Sequence, residues 1–306
     1  MVVDGPALDR LARRGPPNRP GVIIVSGRDG DPDVWRAGLV VGAQGGYVVP
    51  DDEDAFVAAL SALRRPRRNA AGVLAVVGGH GGAGVSTLAA SLALAGSRRG
   101  SPVLLLDVEP AGAGLDLLLG AEDAPGLRWA DITGQTGSLS GPALSAALPT
   151  AGDRLRVLTR ARDDGAPLAP ETVLAVLDAA RLNGDTVVAD VGRAGDPAAG
   201  GVLDSADLIA VVTTATVPGV AATRKLVARL GRREEAGIVV RGPAPGGLRA
   251  AQIATAVGLP LLATLRHAPG LPGQCEDGGL RARPRSPQAS AAGVLLDALT
   301  ARGGRR

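Results

Sequence analysis

Residues 76–93 read VVGGHGGAGVSTLAASLA, a glycine-rich turn between an apolar run that reads as a strand and an alanine-leucine run that reads as a helix. Within it, Gly79-x4-Gly84-Val85-Ser86 fits the phosphate-loop spacing G-x-x-x-x-G-K-[ST] at every position except the lysine. Gly79, Gly81, Gly82 and Gly84 let successive backbone N–H groups turn towards one anion, and the helix start at Ser86 adds the positive end of its dipole. Ser86 supplies a hydroxyl where such loops ligate Mg²⁺. Val85 supplies no charge at all. Placed positive charge is the main contribution of these sites to phosphoryl transfer, so the expected chemistry is nucleotide binding with slow or absent hydrolysis.

Two further segments carry acids at the ends of apolar runs. VLLLDVEPAGAGLDLLLG places Asp107 at a strand end with Glu109 two residues on, and VVADVGRAGD places Asp190 likewise. Such carboxylates suit a hydrated divalent cation. Other chemistries find no support in the sequence. Cys275 is the single cysteine, which excludes an internal disulfide and thiolate-built metal or iron–sulfur centres. His80 and His267 are the two histidines, and no Ser-His-Asp set or metal-spaced cluster accompanies them.

GGHGGAGVST resembles the deviant phosphate loop G-K-G-G-x-G-K-[ST]-T of the MinD/ParA branch of P-loop ATPases, with His80 in place of the signature lysine and Val85 in place of the ordinary one. The resemblance implies ATP and Mg²⁺ as cofactors and a homodimer across the loop face. It implies cofactor contacts from Gly79, His80, Gly81, Gly82, Ala83, Gly84, Val85, Ser86 and Thr87, Mg²⁺ held by Ser86 and by Asp190 through water, and a water-positioning role for Asp107 and Glu109. Glu109 stands where a second aspartate is usual, and Arg241 where that family often has an adenine-contacting asparagine. A histidine, a far weaker base than lysine, replaces a lysine's charge only in part.

These motifs need a frame. VLAVVG (73–78), PVLLLDV (102–108), LRVLTR (155–160), DTVVADV (185–191), DLIAVVTT (207–214), GIVVRG (237–242) and PLLATL (260–265) are near-continuous apolar strands separated by helical stretches. That pattern predicts an α/β fold: a doubly wound, mostly parallel sheet covered on both faces. Ahead of it GVIIVSG, DPDVWRAGLVVGA, GYVVP and DEDAFVAALSALRR read as βαβα, and MVVD adds one more strand. The expected layout is a partial receiver-like domain over 1–63, a basic linker over 64–72 and the P-loop domain over 73–306. A receiver has five βα units and about three are visible, so the front domain reads as truncated. It carries no first-strand acidic pair, and Val49-Pro50 replaces a Lys-Pro, so a docking role is expected in preference to phosphorylation of Asp4.

A receiver-like front followed by a MinD-like domain is similar to the CpaE/TadZ pilus-localisation group and its septum site-determining (Ssd-type) branch. RPGVIIVSG, DVGR, VVRGPAPGGLRAAQIATAVGLPLL and GGLRARPRSP carry that likeness over residues 1 to about 295. It implies a regulator placing cell-division or Flp-type pilus machinery, with septal or pilus-assembly proteins as partners at the cytoplasmic face of the membrane, pole or septum. Composition narrows the alternatives. The 306 residues carry a net charge of +3 and four aromatic residues, and Lys225 is the lone lysine among 33 basic residues. An arginine-rich total without clustering is poor support for nucleic-acid binding, so a DNA-associated ParA-like protein stays the lesser reading, resting on Arg64, Arg65, Arg67 and Arg68. No apolar run reaches membrane-span length. The C-terminal segment, with Val294, Leu295, Leu296 and Leu299, is expected to pack on the domain and not to anchor in lipid.

Overall fold

The computed structural model describes residues 2–4, 7, 23–27, 34, 45–53, 55–57, 72–110, 112–132, 139–161, 167–277, 279–281 and 283–303. The chain divides into two compact units, Met1–Pro66 and Arg67–Arg306.

In the first unit β1 (Val2–Val3), β2 (Ile23–Ser26) and β3 (Gly45–Val48) form a parallel sheet in sequential order. Ile23 and Ile24 are its buried pair, and the rings of Tyr47 and Phe56 meet at 5.8 Å. Sequential order is that of the last three strands in a 2-1-3-4-5 doubly wound sheet. Asp4 follows β1, exposed, with Oδ1 accepting from the Ala7 N–H at 2.9 Å. The helix expected over 31–43 lies almost wholly outside the described residues, as does the linker apart from Gly72.

The second unit is built on an eight-stranded sheet. Its elements are β4 (Val73–Gly78), α1 (Val85–Arg98), β5 (Val103–Asp107), α2 (Leu115–Leu119), α3 (Trp129–Ile132), α4 (Gly141–Ala147), β6 (Thr150–Gly152), β7 (Leu155–Leu158), α5 (Pro170–Asn183), β8 (Thr186–Gly192), α6 (Pro197–Ser205), β9 (Leu208–Thr214), α7 (Val217–Leu230), β10 (Ala236–Arg241), α8 (Ala250–Val257), β11 (Leu261–Leu265), α9 (Leu271–Glu276) and α10 (Pro287–Gly303). The strand order is β11-β10-β9-β4-β8-β5-β7-β6, with every pairing parallel except the short β6 against β7. The predicted α/β doubly wound sheet is what the chain forms.

Seven of the eight strands coincide with the apolar runs of the sequence; the inner ones do so because parallel strands covered on both faces exclude water from both, while the edge strand β11 is partly exposed. Val73 to Val77, Leu104 to Leu106 and Val187 to Ala189 are all essentially inaccessible. The eighth, β6, escapes the periodic reading: its three residues Thr-Ala-Gly sit at the sheet edge, half exposed, with no apolar run to declare them.

The two faces bury different sets. One cluster joins Trp129, Val173, Val176, Leu177, Val202 and Leu203 to the strands; the other joins Leu88, Leu92, Leu295, Leu296 and Leu299. Ala89, Ala90 and Ala93 bury the sheet-facing side of α1, and small side chains there let the helix approach β4 closely. α10 packs against α1 and β11; Leu295, Leu296 and Leu299 are buried while Val294 remains half exposed. The expectation that this segment packs on the domain therefore holds for three of its four apolar residues. No described helix is long and apolar enough to cross a membrane.

Candidate functional site

From β4 the chain first builds the β8-β5-β7 side of the sheet and later the β9-β10-β11 side, so the order reverses beside β4. Crevices at such reversals, outside the carboxyl ends of the strands, are where open α/β sheets take ligands. Gly78, Asp107, Thr214 and Arg241 end β4, β5, β9 and β10 on this side, and Asp190 lies two residues before the end of β8.

The loop 79–84 leaves β4 with Gly79 N–H donating to Val212 O at 2.9 Å. Gly79 passes directly over α7: a Cβ there would fall inside Thr223 Oγ1. Gly82 and Gly84 adopt the left-handed region, at φ +72° and +99°, which glycine takes without steric cost. Gly84 is the N-cap of α1 and no side chain caps that end; the N–H groups of Gly82 and Gly84 donate to no backbone carbonyl among the described residues. By contrast Thr216 Oγ1 caps α7 through Gly219 N–H at 3.2 Å and Asp196 caps α6 through Ala198 N–H at 2.7 Å. A bare N-terminus of a 14-residue helix behind a glycine turn suits an anion.

The two residues in lysine positions turn away from that cradle. Val85 packs on the end of β4, its Cγ2 lying 2.8 Å from where a Gly78 Cβ would stand, and joins the Leu88–Leu92 cluster. His80 lies along β9. Its Nε2 accepts from the Thr214 N–H at 3.3 Å and sits 3.0 Å from Thr214 Oγ1, while its Nδ1 is 2.7 Å from Gly81 O. A backbone N–H can only donate, so Nε2 is the acceptor and the proton belongs on Nδ1, donated to Gly81 O. The ring, half-buried, is thus tied at both of its nitrogens.

Asp107 and Asp190 are direct partners in the β5–β8 register and both are buried. Burial pushes the Asp107 carboxyl up to about 7, with the neighbouring Asp190 charge adding to it; the Leu115 N–H, donating to Oδ2 at 3.1 Å, opposes. Burial likewise raises Asp190, against the Ser86 hydroxyl and the Gly192 N–H, which donates at 3.0 Å. Two buried carboxylates beside a serine hydroxyl, with no metal-sized cluster of three acids among the described residues, offer the sparse oxygen set typical of a Mg²⁺ that keeps most of its water.

Glu109 is turned towards the segment after β8. Its Oε2 accepts from the Arg193 N–H at 3.0 Å, and Gly192, at φ +59°, leaves the room that a Cβ would take from the same carboxylate. Arg241 reaches back from β10: its Nη2 donates to Gly82 O at 3.0 Å, and Nη1 lies 3.1 Å from where a Gly84 Cβ would stand. The loop, Ser86, Asp107, Asp190, Glu109 and Arg241 thus share one crevice, with Thr87 on the first turn of α1 and Ala83 buried beneath the loop. Trp129, Thr214 and Thr223 went unnoticed in the sequence. Trp129 Nε1 donates to Asp107 O at 2.8 Å; no spacing rule links a tryptophan 22 residues downstream to that carbonyl. His267, Arg224 and Lys225 are exposed, and burial raises the Cys275 thiol, which leaves it a poor nucleophile.

The fold and the bare glycine loop define a MinD/ParA-type α/β domain. A ParA-family ATPase of Chlorobium tepidum superposes with TM-score 0.66 at 20% identity, over 74% of this chain and 99% of that one. MinD of Pyrococcus furiosus follows at 0.62 and 24%, over 74% and 97%, and the MinC:MinD cell division complex of Aquifex aeolicus at 0.62 and 20%, over 74% and 96%. At these identities the likeness establishes the fold. Residues 1–71 match the family model described as Rv3660c-like, CheY-like N-terminal domain, so the front unit is receiver-like. Rv3660c, an uncharacterized protein of Mycobacterium tuberculosis H37Rv, is 41% identical over 310 residues, covering 100% of this chain and 87% of its own length. The chain belongs to the Rv3660c-like family.

Proposed function

We propose that the chain is a positioning protein of the septum site-determining or CpaE-like kind, governing placement of cell-division or Flp-type pilus machinery, with a phosphate loop that binds Mg–ATP and turns it over slowly or not at all. The observation that carries this reading is the loop itself: a complete glycine cradle at a bare helix end, with Val85 packed on the end of β4 and His80 tied to Thr214. Binding needs the N–H cradle; fast transfer needs charge at the γ-phosphate.

Ser86 and Asp190 would hold Mg²⁺, which when bound supplies positive charge to the phosphate oxygens. Asp107 would orient the outer waters and Glu109 would tie the two acidic segments together. A regulator of this kind acts as a nucleotide-bound homodimer through the crevice face and recruits septal or pilus-assembly proteins; the solved complex of MinC with MinD supports partner recruitment by this fold. Its place of action would be the cytoplasmic side of the membrane, pole or septum, and its layout a receiver-like domain over 1–63, a linker over 64–72 and the P-loop domain from 73.

Calorimetry with Mg–ATP and a steady-state phosphate-release assay test the reading together. Saturable binding with turnover no faster than the blank is expected. Robust turnover abolished by Asp107→Ala would overturn the non-hydrolysing assignment, and no heat at millimolar nucleotide would overturn binding.

A further inference from the structure

Arg241 reaches the loop with part of its guanidinium uncommitted. Its Nη2 is committed to the Gly82 carbonyl at 3.0 Å and Nη1 lies over Gly84, yet its Nε is buried without any hydrogen-bond partner. No carboxylate pairs with it among the described residues; the ion pairs of this unit involve Arg99, Arg128, Arg181 and Arg233. Burying a guanidinium donor unpaired is costly, and the sequence has set this one at the end of β10 against the two left-handed glycines of the loop.

We infer that Arg241 is the phosphate-binding cation of this site, supplying from β10 the charge that Val85 and His80 do not, for a ligand carrying a pyrophosphate group. A guanidinium presents five donors in a rigid fork suited to phosphate oxygens. One Nη2 donor fixes the fork to the loop and Nε is buried, so the Nη1 donors and the second Nη2 N–H remain for an anion in the N–H cradle. The arrangement differs from a lysine rising from the loop: the charge arrives from a neighbouring strand, on the flank of the cradle, with its position set by the β9–β10 register that pairs Arg241 with Thr214. Thr214 also holds His80, so one strand end disposes of the histidine and aligns the arginine. A role on the base is the competing assignment, and inorganic pyrophosphate, which has no base, separates the two.

The inference rests on the nucleotide-binding reading, and the test distinguishes their failures. Binding of inorganic pyrophosphate and of ATP, each with Mg²⁺, is measured by calorimetry on the full chain and on Arg241→Ala, Arg241→Met and Arg241→Lys, with thermal melts of the unliganded proteins. Arg241→Ala and Arg241→Met should weaken both ligands about tenfold or more while Arg241→Lys recovers part of the loss, and the salt dependence of pyrophosphate binding should flatten in the two uncharged variants. Unchanged pyrophosphate binding in Arg241→Met, with ATP alone weakened, would overturn the inference in favour of a base contact and leave nucleotide binding standing. Equal losses in Arg241→Lys and Arg241→Met, accompanied by a lowered melting temperature, would reduce the residue to a loop support. Absence of both ligands from the wild-type chain would overturn the nucleotide reading and this inference together.

Discussion

Restoring an ammonium at position 85 is the sharpest single-residue test of the loop. Val85 gives up its packing on Gly78 and on the Leu88–Leu92 cluster, so Val85→Lys should cost about 1 kcal/mol of stability and tighten ATP about tenfold through a charge-assisted contact; calorimetry beside a thermal melt reads both. Asp107 gives a pH signature. Burial and the Asp190 charge hold it up to about 7, above its unfolded value, so the folded state binds the proton more strongly. That contribution to stability is present in acid and is lost as pH rises through about 7. Between about pH 5.5 and 8 the unliganded melting temperature should therefore fall, and Asp107→Asn should flatten the trend. The spacing of glycines and the absence of lysine are plain in the sequence. The direction Val85 takes, and the hold on His80 by a threonine 134 residues away, are not, because both depend on which strands end beside the loop.

Elements behave as the sequence leads one to expect where burial is two-sided, and less so at edges. β4, β5, β8, β9 and β10 are continuous apolar runs. β6 and the short helices α2 and α3 have too few residues to show a period, and are fixed by long-range contacts such as the Trp129 N–H donating to Thr159 O at 3.1 Å. Replacing Trp129 by Phe removes part of a fully buried ring system and leaves Asp107 O without its indole donor; a loss of at least about 1–3 kcal/mol is expected in urea melts, together with a weaker Mg²⁺ dependence of nucleotide binding. The junction between loop and α7 is equally strict. Gly79→Ala would drive a methyl into Thr223, whose hydroxyl donates to Gly219 O at 2.7 Å, and should cost about 1–3 kcal/mol as overpacking. Gly79→Ala/Thr223→Ala, which removes the obstructing hydroxyl but keeps the Thr223 Cβ 2.7 Å from the new methyl, should recover part of it. Failure to recover would place the strain in the backbone near Thr223 Cα, 3.0 Å from the new methyl.

At the scale of the molecule, every residue of the candidate crevice belongs to the Arg67–Arg306 unit. A fragment beginning at Arg67 should therefore bind Mg–ATP with the affinity of the whole chain, and a partner that needs the receiver-like unit should distinguish the two; a tenfold or greater loss of nucleotide affinity in the fragment, by about the measure of a lost charged contact, would show that the front unit contributes to the site. The amino-acid sequence alone determined the α/β class, the receiver-like front, seven of the strands and the loop whose glycines outlast its lysines, because burial periodicity and backbone freedom are local properties. Only the tertiary structure brings a guanidinium to that loop. Arg241 lies 159 residues from the Gly82 carbonyl it holds, and that distance is closed by strand order, which hydrogen bonding between β4, β9 and β10 sets and no local pattern records.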